Sequence, residues 1–246
     1  MSMACTAGEH LAQVVVRELL TLASQLDRPV VVGISGYPYT GKTRLRHDLA
    51  GAWPIGNAIV LATEVAVLTR EWRQDRRIDG CAEAGHDMDL LLDLLDSVLA
   101  GRPVRAPMYS WLLGRHVDYI DIAGAGRNDL VIVDGTVAAS PRVAARCDRV
   151  LFLSPAAPTP WLHLAGERDV QQRAWPRENV ESENVKKYAT AAALRAHTVA
   201  DGVIRDIVVD PSTWRVRLVS CARCDVVIGH REEEAAISEA LCQLGQ

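Results

Sequence analysis

The apolar residues of this chain fall into two rhythms. Val30-Val31-Val32-Gly33-Ile34, Ile59-Val60-Leu61-Ala62, Leu130-Val131-Ile132-Val133 and Val150-Leu151-Phe152-Leu153 are short runs with no polar alternation, and Val203 to Val209 makes a fifth strand candidate. A strand that is apolar on both sides is covered on both faces, so these runs predict a buried parallel sheet. Between them the spacing changes to three and four. Leu11, Val15, Leu19, Leu22 and Leu26 mark one face of a helix, and Leu45 and Leu49 fall on the inner face of another beginning at Arg44. Asp87 can cap a leucine-rich helix from Met88 to Leu99, which stops at Gly101 before Pro103. Pro160 to Arg173 and Val185 to His197 read as two more helices. The polar stretch Trp175 to Glu183 reads as a loop, and with its flanks (about 166–184) as a mobile lid. Ile207 to Asp210, the turn Pro211-Ser212-Thr213 and Trp214 to Val219 predict a hairpin, and Glu232 to Leu244 a closing helix. The pattern predicts an α/β fold: a five-stranded parallel sheet with helices on both faces, in one domain spanning 1–246.

Composition narrows the function more than the fold. With 246 residues and 49% apolar content the chain can bury one good core. A net charge of −4 gives no field that would gather nucleic acid or an anionic membrane surface. The expected partner is a small molecule, with no nucleic acid and no membrane. The opening MSMACTAGEHLAQ lacks the basic-then-apolar layout of a secretory signal, and a cytoplasmic location is expected. Six scattered cysteines read as reduced thiols. Cys221 and Cys224 have the spacing of half a zinc site, but no second pair follows and His230 alone cannot complete it, so they are read as packing residues.

The chemistry starts directly behind the first apolar run. Gly36 to Thr43 reads GYPYTGKT, a glycine and four residues followed by Gly-Lys-Thr, set between a strand and a helix. A phosphate chain needs many N–H donors converging on it. Gly36, Tyr37, Pro38, Tyr39, Thr40 and Gly41 form the loop that supplies them, and the helix through Lys42, Thr43 and Arg44 adds its free N-terminal amides. Lys42 provides a point charge toward the β- and γ-phosphates, and the Thr43 hydroxyl is placed to ligate Mg²⁺. Asp134 ends the third strand with Gly135 behind it, where such a protein keeps a metal-holding carboxylate. Glu64 follows the second strand on the same edge of the sheet, where a carboxylate could accept the proton of an attacking hydroxyl. Arg168 and Arg173 flank the lid and suit the charge that develops on a transferring phosphoryl group. Arg70, Arg73 and Arg77 share one helical face, which could bind an anionic part of the acceptor but is read first as a solvated face balanced by Glu71 and Asp75.

Taken in order, GISGYPYTGKT, GRPVRAPMYSW, DLVIVDGTVAA, ERDVQQR and ENVKKYA resemble the uridine kinase branch of P-loop kinases, near pantothenate kinase and phosphoribulokinase, from about Val30 to Ala189. The resemblance implies Mg-ATP-dependent phosphorylation of a small-molecule hydroxyl. It implies that Lys42 and Thr43 act on phosphate and metal, that Glu64 stands where the family has its general-base aspartate, and that Asp134 stands at the Walker B acid. Arg168 and Arg173 match the lid arginines. Tyr109 matches the tyrosine beside the acceptor, and Asp79, in Ile78-Asp79-Gly80-Cys81, matches the sugar-binding acid. The string Tyr109-Ser110-Trp111-Leu112-Leu113-Gly114-Arg115-His116 puts Gly114 where the family reads a base with histidine, leaving Trp111, Arg115 and His116 as the nearby acceptor candidates. Ala66-Val67 replaces the usual aromatic pair, so the acceptor is expected to be a nucleoside-like metabolite other than uridine. A pantothenate-like acceptor and a nucleotide-binding module that has lost the reaction remain as alternatives. Related kinases assemble as oligomers, and a homo-oligomer stays open.

Overall fold

A computed structural model describes residues 11–156, 158–173, 177–197, 204–209, 215–218 and 225–227. Its centre is a sheet built from the apolar runs. These are β1 (Val30–Gly36), β2 (Ala58–Ala62), β5 (Leu130–Asp134), β6 (Arg149–Pro155) and β7 (Ile204–Val209), followed by the short strands β8 (Arg215–Leu218) and β9 (Asp225–Val227). The order is β2-β5-β1-β6-β7-β8-β9; the first five are mutually parallel, and β8 and β9 extend the edge in antiparallel fashion. Alternate residues of one run serve opposite layers. Val31, Val131, Val133, Val150 and Phe152 pack on one side, and Val30, Val32, Ile34, Leu130, Ile132, Leu151 and Leu153 on the other. That is why the runs carry no polar alternation.

Helices α1 (Leu11–Ala23) and α2 (Lys42–Ala52) cover the second layer, burying Leu11, Val15, Leu19, Leu45 and Leu49. The first layer is covered by α4 (Met88–Leu99), the single-turn α5 (Pro141–Ala144), α6 (Pro158–Arg173) and α7 (Arg177–His197). As expected, the Asp87 carboxylate caps α4 by accepting from the Leu90 amide at 3.0 Å. Among the described residues no helix is long and apolar enough to cross a membrane.

Three local readings change. The stretch read as a loop is helical from Arg177, because Val180 and Asn184 are buried and Val180 comes up against Gly166 of α6. No glycine or proline interrupts the chain from Arg177 to His197. The segment Arg102 to Ile122 forms an antiparallel hairpin, β3 (Val104–Ser110) and β4 (Arg115–Ile122), that the apolar runs did not announce because seven of the eight residues of β4 are not buried. The arginine face breaks up, since α3 spans only Arg70–Asp75 and Arg77 turns to φ 55°. The hairpin read near the C-terminus is present as β7 and β8, pairing Ile207 with Leu218. Cys221, Cys224, His230 and the helix read at 232–244 lie outside the described residues.

Candidate nucleotide and acceptor site

The loop between β1 and α2 opens at the carboxyl edge of the sheet, with β1 flanked by β5 and β6. Its shape depends on two glycines. Gly41 caps α2 at φ 85°, and Gly36 turns off the strand at φ 128°, where a Cβ would stand 2.2 Å from the Leu153 carbonyl oxygen. Gly36→Ala should therefore destabilise the fold by more than about 3 kcal/mol in urea denaturation. Gly51→Ala, inside α2 with nothing within 4 Å of the added Cβ, should instead stabilise it by about 0.5–1 kcal/mol. A near-neutral Gly36→Ala would mean that the loop leaves β1 along a different path.

Within the loop Thr40 Oγ1 donates to the Tyr37 carbonyl at 2.7 Å, and Lys42 Nζ donates to the carbonyls of Gly36 at 3.1 Å and Tyr37 at 2.8 Å. The Lys42 ammonium is crowded by the loop it folds over, and burial pushes its pKa down to about 8 against the pull of Asp134, Cys81 and Glu64. Thr43 is exposed at the first turn of α2, and Arg44 turns away to Asp48 at 3.0 Å. Tyr39 takes the left-handed region at φ 60°, a strained place for a large side chain. Its ring lies 5.2 Å from the Arg168 guanidinium.

Helix α6 braces this loop from the side. The Trp161 indole N–H donates to the Pro38 carbonyl at 2.5 Å, and Tyr37 packs against Phe152, Trp161 and Tyr188 with ring centroids 5.8, 5.8 and 4.4 Å away. Arg168 pairs with Asp169 at 2.7 Å, and the other Asp169 oxygen takes Lys187 at 2.6 Å, with Asn184 Oδ1 also on that ammonium at 3.1 Å. These buried charges tie α6 to α7. Arg173 ends α6, and its side chain lies outside the described residues.

Asp134 sits at the end of β5, with burial pushing its pKa up against Lys42 and Arg46. Arg46, one turn beyond Thr43, ion-pairs with it at 3.0 Å. Glu64 stands in a 3-10 turn, Thr63–Ala66, after β2. A Cβ at Gly135 would fall 1.8 Å from Thr63 Oγ1, so only glycine lets the ends of β5 and β2 touch and bring Glu64 to the side of Asp134. Among the described residues no three His, Cys, Asp or Glu side chains gather as a metal cage. The exposed Thr43 hydroxyl and the Asp134 carboxylate instead suit Mg²⁺, which takes few protein oxygens and completes its shell from phosphate and water.

Among the positions read for an acceptor, Asp79 Oδ1 accepts from the Cys81 amide at 3.1 Å, while Asp79 Oδ2 is buried without a partner among the described residues. Cys81 joins the two halves of the site. Burial and Asp79 push its thiol up to about 11, with Lys187 and Lys42 opposing. Tyr109 is buried, with Trp111 edge-on at 5.0 Å and His116 at 5.4 Å, and His116 Nε2 is a second buried atom without a partner. Arg115 is exposed at the start of β4. Sequence reading missed Arg46, Cys81, Trp161, Asp169 and Lys187, and it named Arg73 only as part of an arginine face, with anion binding as the lesser reading. Cys81, Asp169 and Lys187 fell within strings quoted for the resemblance without being given a role, and no local pattern singled out Arg46 or Trp161.

A D-glycerate 3-kinase from Cryptococcus neoformans superimposes with TM-score 0.64 at 13% identity, over 86% of this chain and all of that one. The phosphoribulokinase of Rhodobacter spheroides does so with TM-score 0.55 at 14% identity, over 76% and 74%. The chain has the fold of the P-loop kinases. A candidate fructose transport system kinase from a Silicibacter species is similar too, with TM-score 0.58 at 19% identity over 80% of this chain and 98% of that one. No protein-family model matches the chain, and no curated protein matches it by sequence. The likeness is therefore one of fold, an α/β fold about a five-stranded parallel sheet.

Proposed function

We propose that this protein is a Mg-ATP-dependent phosphotransferase that moves the γ-phosphoryl group to a hydroxyl of a small metabolite. The observation that carries this reading is the gathering of Lys42, Glu64, Asp134 and Arg168 around one glycine-rich loop, close enough that all three partners act on the Lys42 ammonium. Mg²⁺, held by Thr43 and Asp134, would neutralise phosphate charge. The loop from Gly36 to Arg44 would cradle the phosphates through its backbone amides, all but Pro38, which has no N–H, and Lys42, now donating to two loop carbonyls, would serve the β- and γ-oxygens. Arg168, held by Asp169 over the Tyr39 ring, faces the transferring group, with Arg173 following it on the same helix. Glu64 orients the acceptor hydroxyl and takes its proton. The acceptor lies toward Asp79, Tyr109, Trp111 and His116, with Arg115 at the rim.

Plain uridine is a poor fit. At Gly114 the backbone turns at φ 70° and a Cβ would meet the Arg70 Cβ at 2.6 Å, so no base-reading side chain can stand there. One contact supports a second reading, a nucleotide-binding module without transfer: Arg46 already occupies an oxygen of Asp134.

The experiment that tests the reaction is ADP release from Mg-ATP with pooled nucleosides and other hydroxylated metabolites, run beside Lys42→Ala, with mass spectrometry for a product heavier by one phosphoryl group. An acceptor-dependent signal lost in Lys42→Ala supports the kinase. Nucleotide binding with no product from any acceptor supports the module.

A further inference from the structure

Arg73 is a cation that the proposed reaction leaves unused. It is only 8% exposed, although it belongs to a six-residue helix whose acids, Glu71 and Asp75, point to solvent. Among the described residues no carboxylate pairs with it. Its Nε donates to the Leu68 carbonyl at 3.0 Å and its Nη2 to the Tyr109 hydroxyl at 3.1 Å. Among the described residues the outer Nη1 has no partner, and it is not wholly buried, so solvent reaches it. The seat for this guanidinium depends on two missing side chains: a Cβ at Gly80 would come 2.6 Å from Nη1, and one at Gly85 3.3 Å from Cδ. Its neighbours Arg70 and Arg76 are spent differently, Arg70 on the Trp111 carbonyl and Arg76 on the face of Trp72 at 4.3 Å.

Taking a charge out of water without a counter-ion is costly, and most buried arginines are paired. This one is held rigidly by a carbonyl and a phenol, which fix its direction but do not neutralise it. Its field is felt nearby, since His86 is pushed down to about 4 by burial, with Arg73 adding to the effect, and so stays neutral beside it. Next to the guanidinium along the chain stands Asp79, whose Oδ2 is buried and unpartnered, and across Tyr109 stands His116 with its unpartnered Nε2. The set calls for a ligand with an anionic end for the guanidinium fork and hydroxyl groups for the lone acceptor oxygen of Asp79.

We infer that Arg73 reads an anion, so that the acceptor is a hydroxylated acid bearing a carboxylate or a phosphate. The inference rests on the kinase reading for what happens to that ligand, but binding at Arg73 does not require transfer. Arg73 is a specificity-determining residue: its fork takes two oxygens of the anion, Asp79 takes a hydroxyl, and the ligand is drawn up beside Glu64.

The test separates binding from turnover. Thermal shifts are measured on the protein loaded with Mg²⁺ and a non-hydrolysable ATP analogue, using matched pairs of probes: gluconate against sorbitol, pantothenate against pantothenyl alcohol, and ribose 5-phosphate against ribose. An anionic probe should raise Tm where its neutral partner does not, and the carboxylate and phosphate arms show which anion is preferred. Arg73→Met should weaken binding of that probe by at least about tenfold and abolish its advantage, with nucleotide affinity unchanged. Arg73→Lys should restore part of it. If Arg73→Met fails to fold, Gly80→Ala keeps the arginine but displaces Nη1, and it should remove the same preference. Equal shifts from charged and neutral partners, no shift from any anionic probe, or an anion preference that survives Arg73→Met and Gly80→Ala would each overturn the inference. ADP release is then measured with the probe that binds. Binding through Arg73 without ADP release would keep the anion site and remove the kinase reading.

Discussion

On the proposed kinase reading, Lys42→Met should lower kcat for phosphoryl transfer by about 10²–10³-fold or more, because it removes the point charge proposed to meet the β-γ bridge. It should also change how stability responds to pH. In the folded, nucleotide-free protein the Lys42 pKa is about 8, below the 10.5 of the unfolded chain. Between those values the unfolded state binds more protons, so this group makes stability rise with pH, by at most about 1.4 kcal/mol per pH unit. Cys81 and Cys147 act in the opposite sense, since their thiols are pushed up to about 11 and about 12 and the folded state keeps their protons longer. The informative quantity is therefore the difference between wild type and Lys42→Met in urea denaturation at pH 8 and pH 10. Wild type should gain relative to the variant as pH rises. Parallel pH curves would mean that the ammonium is fully solvated and the loop is not folded over it. Bound phosphates supply the missing counter-charge, so saturating nucleotide should flatten the difference.

Glu64→Gln should lower kcat by about 10²–10⁴-fold while leaving nucleotide binding within about threefold. The reason is positional. Thr63 is pinned against Gly135, which holds Glu64 beside the end of β5, where its charge reaches Lys42. Glutamine keeps the shape and the hydrogen-bonding oxygen but cannot take a proton. Asp79→Asn serves as the comparison, since it should raise the acceptor KM more than it lowers kcat. Near-full turnover of Glu64→Gln, with chemistry shown to limit the rate, would assign the proton to another group.

The site was legible where a backbone signature and a chemical one coincide. The glycines of the loop are fixed by steric limits that act within a few residues, and Gly36 and Gly41 do take the positive φ that such a loop needs. Asp134 and Glu64 could be placed because the end of an apolar run marks the carboxyl edge of a parallel sheet. The acceptor side was far less legible. Arg73 sits in a polar helix beside Glu71 and Asp75, and its sequence reads first as a solvated face and only second as an anion site. It is buried because Gly80 and Gly85 fold over it and Tyr109, distant in sequence, meets its nitrogen. The polar stretch from Arg177 was misread for the same reason, since a helix needs only Val180 and Asn184 on its inner side once α6 is there to receive them.

By itself the sequence determined the parallel sheet, its two covering layers and the phosphate loop, because hydrophobic periodicity and glycine stereochemistry are local properties of the chain. Tertiary structure alone decided which charges lose water and which keep it. The charges of Asp134, Cys81 and Glu64 reach Lys42, Asp134 pairs with Arg46, Asp169 pairs with Lys187, and Arg73 meets no acid among the described residues. Desolvation and pairing depend on what other segments bring to the same place, and no local pattern in the chain carries that information.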